Sequence, residues 1–317
     1  MGIRFIPDNV NINFVKRRNK IFLLSLLLVL ASIFGFLKSG LNYGIDFKGG
    51  YVIEARFDEE PALGELREKL ADAYAGEISL QQFGANGNDI VIKLEKTKDM
   101  GKSSEQEEHL SVINKVKSAL GDRVLYRKIE TIGPTIGEEL VRNAIKAVIL
   151  SLLAIAIYIG FRFEWQFSIS ALLALAQDCL CLVGAYAWFD LEFNASSIVA
   201  VLTTASYSIN DTIVIFDRIR ENIRRYKKIS FDEIINKSIN ETLSRTVLTA
   251  GSTLLAILAL CVLGGKVIES FSLPILIGIG FGTFSSIAVS APLLLLFKID
   301  RDKIEKSKAK KVSQVTL

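Results

Sequence analysis

The 317-residue chain is half hydrophobic, carries a formal net charge of +4 and has a mean hydropathy of +0.36. Those values exclude an ordinary soluble domain and a disordered polymer alike. Cys179, Cys181 and Cys261 all fall in apolar runs, so packing is their expected role and no disulfide framework is indicated.

In chain order, a basic segment (1–20) ends in Lys16, Arg17, Arg18 and Lys20 and leads into the first apolar run, Ile21–Leu37. That run is longer than the core of a signal peptide. The following LKSGLNYG offers no convincing cleavage site, so the reading is a retained transmembrane helix over 21–38. Five further runs are long enough to cross a bilayer: Leu140–Gly160, Phe167–Trp188, Ala195–Phe216, Val247–Leu263 and Leu273–Phe297. They make 139–297 a second membrane block, with a cytoplasmic segment at 218–245 and a basic tail at 298–317.

Between the first two spans lies a polar section, 39–138. Tyr51–Phe57 alternates as a strand, and Ala62–Tyr74 has helical spacing after Pro61. Ile78–Phe83 and Asp89–Leu94 read as strands around GANGN, Glu105–Leu120 as a helix and Arg123–Ile132 as extended chain. The order β-α-β-β-α-β predicts a ferredoxin-like α+β domain, with a polar, mobile loop at Lys96–Ser104. His109, the one histidine, is expected on a surface helix there. The fold class is therefore a polytopic α-helical membrane protein: six transmembrane helices with an inserted exterior α+β domain.

Charge sets the expected orientation. Section 39–138 has a net charge of −5, the rest of the chain +9, and basic residues gather before Ile21, around Arg162, between Arg218 and Arg245 and after Phe297. Six crossings put these on one side, which the positive-inside rule makes cytoplasmic, with both termini inside and 39–138 outside. Segment 218–245 carries eight basic and four acidic residues and suggests a surface helix around Phe231–Ile239, close to anionic membrane lipids or a partner.

Asp211 is the main functional candidate, because an acid at the centre of a membrane helix costs about 2.5–3.5 kcal/mol. Helical spacing puts Thr204, Tyr207, Ser208 and Asp211 on one broad side of the fourth span, beside Asn210. Asp217 lies about 9 Å further along the axis, next to Arg218 and Arg220, where an interfacial role is expected. The fifth span offers Arg245 as countercharge, with Thr246 and Thr249 on a polar stripe, and the third span has Gln177 and Asp178. Asp178, Asp211 and Arg245 together suggest a proton-responsive network, with protons as coupling ion and no cofactor or metal. Gly278, Gly280 and Gly282, followed by Ser285 and Ser286, read as a close helix contact, and Pro274 and Pro292 as places where that last span bends. No complete phosphate loop or serine–histidine pair is present in the sequence, so work must draw on an ion gradient or on another protein.

Several motifs carry a family resemblance: GIDFKGG (Gly44–Gly50), IGPTIGEEL (Ile132–Leu140), YSINDTIVIFDRIRENIRR (Tyr207–Arg225), TLSRTVLTAGSTLL (Thr242–Leu255) and IGIGFGTFSSI (Ile277–Ile287). In this order they resemble the SecF branch of the bacterial SecD/SecF protein-export family, within the RND superfamily. The resemblance implies a multi-pass protein of the bacterial inner membrane. It would be an auxiliary, non-enzymatic subunit that pairs with SecD and couples the proton-motive force to late outward movement of exported chains. The implied partners are SecYEG, SecA, unfolded exported proteins, and YajC and YidC. It maps the family's membrane acid onto Asp211 and its arginine onto Arg245, and gives Gly44, Asp46, Phe47, Gly49 and Gly50 a mechanical role between the first span and the outer domain. Two positions depart from the pattern: a usual His-Asp pair is Gln177–Asp178, and a usual glycine is Ser206. An independent exporter of lipids or small amphiphiles, and a scaffold that transduces nothing, are the competing readings.

Overall fold

The computed structural model describes residues 11–74, 76, 78–83, 87–95, 105–121 and 124–297. The Lys96–Ser104 loop, most of the GANGN turn, the basic tail and the first ten residues lie outside that set, as does the side chain of His109.

Among the described residues, six helices are long and apolar enough to span a bilayer. Five are α1 (Arg18–Ser39), α5 (Pro134–Arg162), α6 (Trp165–Trp188), α7 (Ala195–Arg225) and α8 (Phe231–Leu263). The sixth begins as α9 (Gly265–Ser285), passes through a π-helical stretch at Ser286–Ser290 and ends in the short helix α10 (Ala291–Leu293). Pro292 explains the change of winding, since it can neither donate to the carbonyl one turn back nor leave room for it. α6, α7 and the last span are the most buried. On the outer helices large apolar side chains remain exposed, among them Leu27 and Leu30 of α1, Ile149 of α5 and Leu255 of α8, as a hydrocarbon solvent permits.

The sequence suggests a separate surface helix around Phe231–Ile239 within a cytoplasmic segment 218–245; the structure has that helix but makes it continuous with the fifth span. α7 runs on to Arg225, and the expected surface helix is the first part of α8. Ile234, Ile235, Ile239 and Leu243 form one buried face of α8, and the three isoleucines pack with Phe163, Phe167, Phe216 and Ile219 into the core at that end of the bundle. The basic and acidic residues occupy its other face.

The inserted domain comprises β2 (Gly50–Phe57), α3 (Leu63–Ala73), β3 (Ile78–Phe83), β4 (Asp89–Glu95), α4 (Glu105–Leu120) and β5 (Val124–Ile132). The sheet order is β3-β4-β2-β5 and all its pairings are antiparallel, which is the split-βαβ arrangement. Alternation sends Ile90, Ile92 and Leu94 of β4 to one face, where Leu66 and Leu70 of α3 and Val112 and Val116 of α4 cover them.

A small connector joins domain and bundle. β1 (Asn42–Tyr43) follows α1, pairs in parallel with β6 (Glu192–Phe193) in the α6–α7 connection, and leads into the single-turn helix α2 (Ile45–Lys48).

Candidate functional site between the helices and its connection to the outer domain

Close approach of α7 and α9 comes first, because it determines which hydroxyls meet. A methyl group added at Gly278 would overlap the Thr204 side chain, and one at Gly282 would lie 3.0 Å from Ser208 Cβ. The i, i+4 pair of glycines therefore seats an i, i+4 pair of hydroxyl residues. One turn further along, Thr212 Oγ1 donates to Ser286 Oγ (3.2 Å), and Ser286 Oγ donates to the Ser208 carbonyl (3.0 Å).

Asp178 of α6 points into this seam and is fully buried. Its Oδ2 accepts hydrogen bonds from Ser208 Oγ and from Ser285 Oγ (2.7 Å); its Oδ1 is buried with no partner. Gln177, the adjacent residue, faces the other way and accepts from Ser25 Oγ of α1 at 2.5 Å. The pair is thus divided between two helix interfaces, and Gln177 takes no part in the Asp178 cluster.

Asp211 lies on a different side of α7. It is 5% exposed and its Oδ2 has no hydrogen-bond partner. Arg245 is the opposite charge that acts on it, through space; its side chain is exposed and forms no ion pair with Asp211. Tyr207, one turn from Asp211, reaches α8 through Thr253 (3.1 Å). Thr246 is buried with an unpartnered hydroxyl, Thr249 bonds back to the Arg245 and Thr246 carbonyls, and Asn210 is exposed. The one broad polar side read from the sequence is therefore two stripes: Thr204, Ser208 and Thr212 toward α9, and Tyr207 and Asp211 toward α8.

Asp217 lies beyond the seam and pairs with Arg162 at 2.6 Å, both side chains about two-fifths exposed. Arg218 bonds Glu241 and Glu221, each at 2.7 Å, and Arg220 lies 3.4 Å from Glu164 with its guanidinium over Phe163. These charges tie helix ends together.

At the other end, GIDFKGG forms the connector. Gly44 N–H donates to the Phe193 carbonyl (2.9 Å), and Asp46 Oδ2 accepts from the Ala195 N–H (3.1 Å) at the first turn of α7. A carboxylate there satisfies an otherwise free donor and complements the helix dipole. Asn194 completes the cap, accepting from the Ser196 and Ser197 N–H groups while Ser197 Oγ accepts from its own N–H. Gly137 allows α5 to sit against the Phe47 carbonyl, where a methyl group would approach to 2.6 Å. Gly49 ends α2 with φ +81°, and Gly50 has no room for a side chain beside the Leu94 carbonyl.

Sequence reasoning missed the residues that join the domain to α7. Lys93 Nζ of β4 lies 2.8 Å from Glu192 Oε1, and Gln81 Nε2 of β3 lies 3.3 Å from Glu192 Oε2. It also treated Ser285 and Ser286 as packing alone; their continuation of the Gly278–Gly282 helical row was the available signal.

Comparison with known proteins follows the same lines. The family described as "Protein export membrane protein SecD/SecF, C-terminal" matches residues 112–300, and "SecD/SecF GG Motif" matches 34–60. Proteins named protein translocase subunit SecF from Rickettsia prowazekii and Rickettsia typhi are each 44% identical over 93% of this chain and 94% of their own. The crystal structure of SecDF, a translocon-associated membrane protein from Thermus, aligns with a TM-score of 0.76 and 38% identity, covering 92% of this chain and 39% of that one. A second SecDF structure, in a super-membrane-facing form, gives a TM-score of 0.68 and 36% identity over 96% of this chain and 40% of that one. The chain thus spans about two-fifths of each SecDF polypeptide.

Proposed function

The chain belongs to the SecD/SecF family of protein-export membrane proteins, and from that membership we propose that it is a Sec translocase subunit in which protonation of Asp211 moves α7 and, through α7, the α+β domain. The observation that carries this reading is that one helix bears both ends of the linkage. α7 holds the unpaired Asp211 at mid-length and, at its first turn, the contacts to Asp46 and the Glu192 connection. A buried carboxylate without a bonded countercharge has a large difference in free energy between its charged and neutral forms. Loading and unloading a proton therefore biases any helix movement that changes its access to water or to Arg245.

In this mechanism the domain faces the periplasm and both termini the cytoplasm of a bacterial inner membrane. SecD supplies the other membrane half, and SecYEG and SecA deliver the exported chain. YajC, YidC and anionic lipids complete the surroundings. Asp178 is a second proton-holding group, reached through Ser208 and Ser285. The chain itself carries no enzymatic step and no cofactor; protons are the coupling ion.

The test is Asp211→Asn. SecD should co-purify at the wild-type level, while gradient-dependent release of a translocating precursor from membrane vesicles falls. Undiminished release would overturn the transducing role, and loss of the complex would make Asp211 an assembly residue.

A further inference from the structure

At the end of the bundle away from the α+β domain, the chain crosses the side of α8 before it enters α1. Asn240 Oδ1 accepts from the Ile12 N–H and Asn240 Nδ2 donates to the Ile12 carbonyl, both at 2.9 Å. The same Nδ2 donates to the Asn236 carbonyl at 2.7 Å. One turn earlier on α8, Asn236 Oδ1 accepts from the Phe14 N–H at 2.9 Å. The two asparagines stand about 6 Å apart along the axis, and the segment crosses them in the opposite direction. Phe14 N–H also lies 3.2 Å from the Ile12 carbonyl, and Asn13 Oδ1 accepts from the Lys16 N–H at 2.9 Å, so residues 12–16 turn a tight corner.

The hydrogen bonds from the two asparagines to this segment all go to main chain, so α8 holds it by its backbone and not by its side chains. Asparagine is among the weaker helix formers, and two of them one turn apart in α8 have their use in this pairing. Two other contacts accompany it. Val15 enters the core shared by Ile234, Ile235 and Ile239, and Arg18 lies 3.1 Å from Asp232, a pair too exposed to add much. α1 itself packs along α6. A cleft of about 920 Å³ opens between the start of α1 and α8, with Asn13 and Arg18 on one wall and Asp232 and Asn236 on the other. Arg245 is five residues past Asn240, about 7.5 Å further along α8. Its charge acts on Asp211 through space, so its effect depends on where α8 stands.

We propose that Asn236 and Asn240 are positioning residues: they hold the backbone of residues 12–14 as a strap, fix α8 to the start of α1 and so set the separation of Arg245 and Asp211. The consequence for transport rests on the proposed role of Asp211; the strap and the place of α8 do not. Backbone recognition gives the two positions different chemical demands. Asn236→Asp keeps an oxygen for the Phe14 N–H, which is all that the strap takes from that side chain. Asn240→Asp replaces Nδ2 by an oxygen facing the Ile12 and Asn236 carbonyls, so the same substitution breaks the strap there. Ile12→Ala leaves the main-chain groups intact, whereas Ile12→Pro removes the donor to Asn240.

The experiment uses the full chain assembled with SecD in membrane vesicles. Hydrogen exchange over residues 11–17 reads the strap. Spin labels at Leu27 of α1 and Leu248 of α8, both exposed, read the place of α8 in a chain whose three cysteines have been replaced. In Asn240→Ala, Asn240→Asp and Ile12→Pro the segment should exchange about tenfold faster and the label distances should broaden. Gradient-dependent precursor release should fall about fivefold in the same three proteins. Asn236→Asp and Ile12→Ala should match wild type in all three measurements. Wild-type exchange as fast as that of Asn240→Ala would overturn the proposal, and so would fast exchange in Asn240→Ala with unchanged label distances. Unchanged release in Asn240→Ala, in vesicles where Asp211→Asn loses release, would overturn it as well. If Asp211→Asn itself left release intact, the role of Asp211 would fail, and the exchange and distance pattern alone would decide whether the asparagines position α8.

Discussion

Lys93 in the α+β domain and Glu192 in the α6–α7 connection lie 2.8 Å apart, with side chains only 13% and 20% exposed. Their pairing joins the sheet to the segment that feeds α7, two residues before the Asn194 cap. A partly screened ion pair of this kind contributes about 1 kcal/mol, which corresponds to about a fivefold change in the docked-to-undocked ratio. Lys93→Glu and Glu192→Lys should each reduce gradient-dependent precursor release, and the double exchange should restore much of it. Cysteines placed at the two positions should be joined by a short bifunctional thiol reagent. A double exchange no better than either single variant would show that the contact does not transmit movement.

Helix packing gives a graded prediction. Gly278→Ala forces a methyl group into Thr204 of a neighbouring helix, Gly282→Ala brings one to 3.0 Å from Ser208, and Gly280→Ala meets nothing within 4 Å. Overpacking a well-filled interface costs typically 1–3 kcal/mol, roughly. Thermal unfolding in detergent should therefore rank Gly278→Ala as most destabilised, Gly282→Ala as milder and Gly280→Ala as near wild type. Thr204→Ala should relieve part of the Gly278→Ala defect. Equal melting temperatures for the Gly278 and Gly280 variants would contradict the close contact.

The same interface shows what periodicity reveals and what it conceals. Spacing of 3.6 identified the spans, and period-two alternation separated the strands of the α+β domain, because each element has one face in a core. Periodicity gives a side chain's direction around its own helix but not the neighbour it meets. Thr204, Tyr207, Ser208 and Asp211 therefore read as one side, whereas α9 receives two of them and α8 lies beside the other two. Charge conceals the continuity of α8 in the sequence: Lys237, Glu241 and Arg245 interrupt the apolar run whose buried face is Ile234, Ile235, Ile239 and Leu243. The β1–β6 pairing left no local trace at all, since two-residue strands carry no alternation and Asn42 meets Glu192 only through the fold.

Acid should weaken the α+β domain through Asp89. Its carboxylate accepts two hydrogen bonds from Arg56, at 2.6 Å each, and Arg127 lies 3.6 Å away. The Arg56 hydrogen bonds, aided by the charges of Arg127 and Arg56, hold its pKa below the usual 3.8 against the opposing effect of burial. A folded value below the unfolded one means that the stabilisation is complete above the unfolded pKa and is lost as pH falls through the folded one. The near-ultraviolet circular dichroism of the domain's tyrosines should thus show a melting temperature that declines at low pH. Asp89→Asn should start lower and respond less to acid. An unchanged acid response in that variant would place the sensitive group elsewhere.

Asp178 can be separated into its bonding and its titrating roles by two substitutions. Its Oδ2 accepts from Ser208 and Ser285, and its Oδ1 is buried without a partner. Asn retains an oxygen for both hydroxyls and nearly the same shape, and its amide nitrogen replaces the buried, partnerless Oδ1, so Asp178→Asn should fold with a smaller loss of melting temperature than Asp178→Leu. Asp178→Leu removes the acceptor and leaves two buried hydroxyls to find others; Ser285 already has the Gly282 carbonyl at 3.2 Å. An unmet buried donor costs about 1–3 kcal/mol, so the Leu variant should be clearly destabilised, with the Ser285 alternative moderating the loss. If Asp178 holds a proton during the cycle, the Asn protein, folded and bound to SecD, should still lose gradient-dependent release by about tenfold, the effect of 1.4 kcal/mol on a rate. Wild-type release in the Asn protein would restrict Asp178 to organising the seam and leave Asp211 as the carboxylate that responds to the gradient.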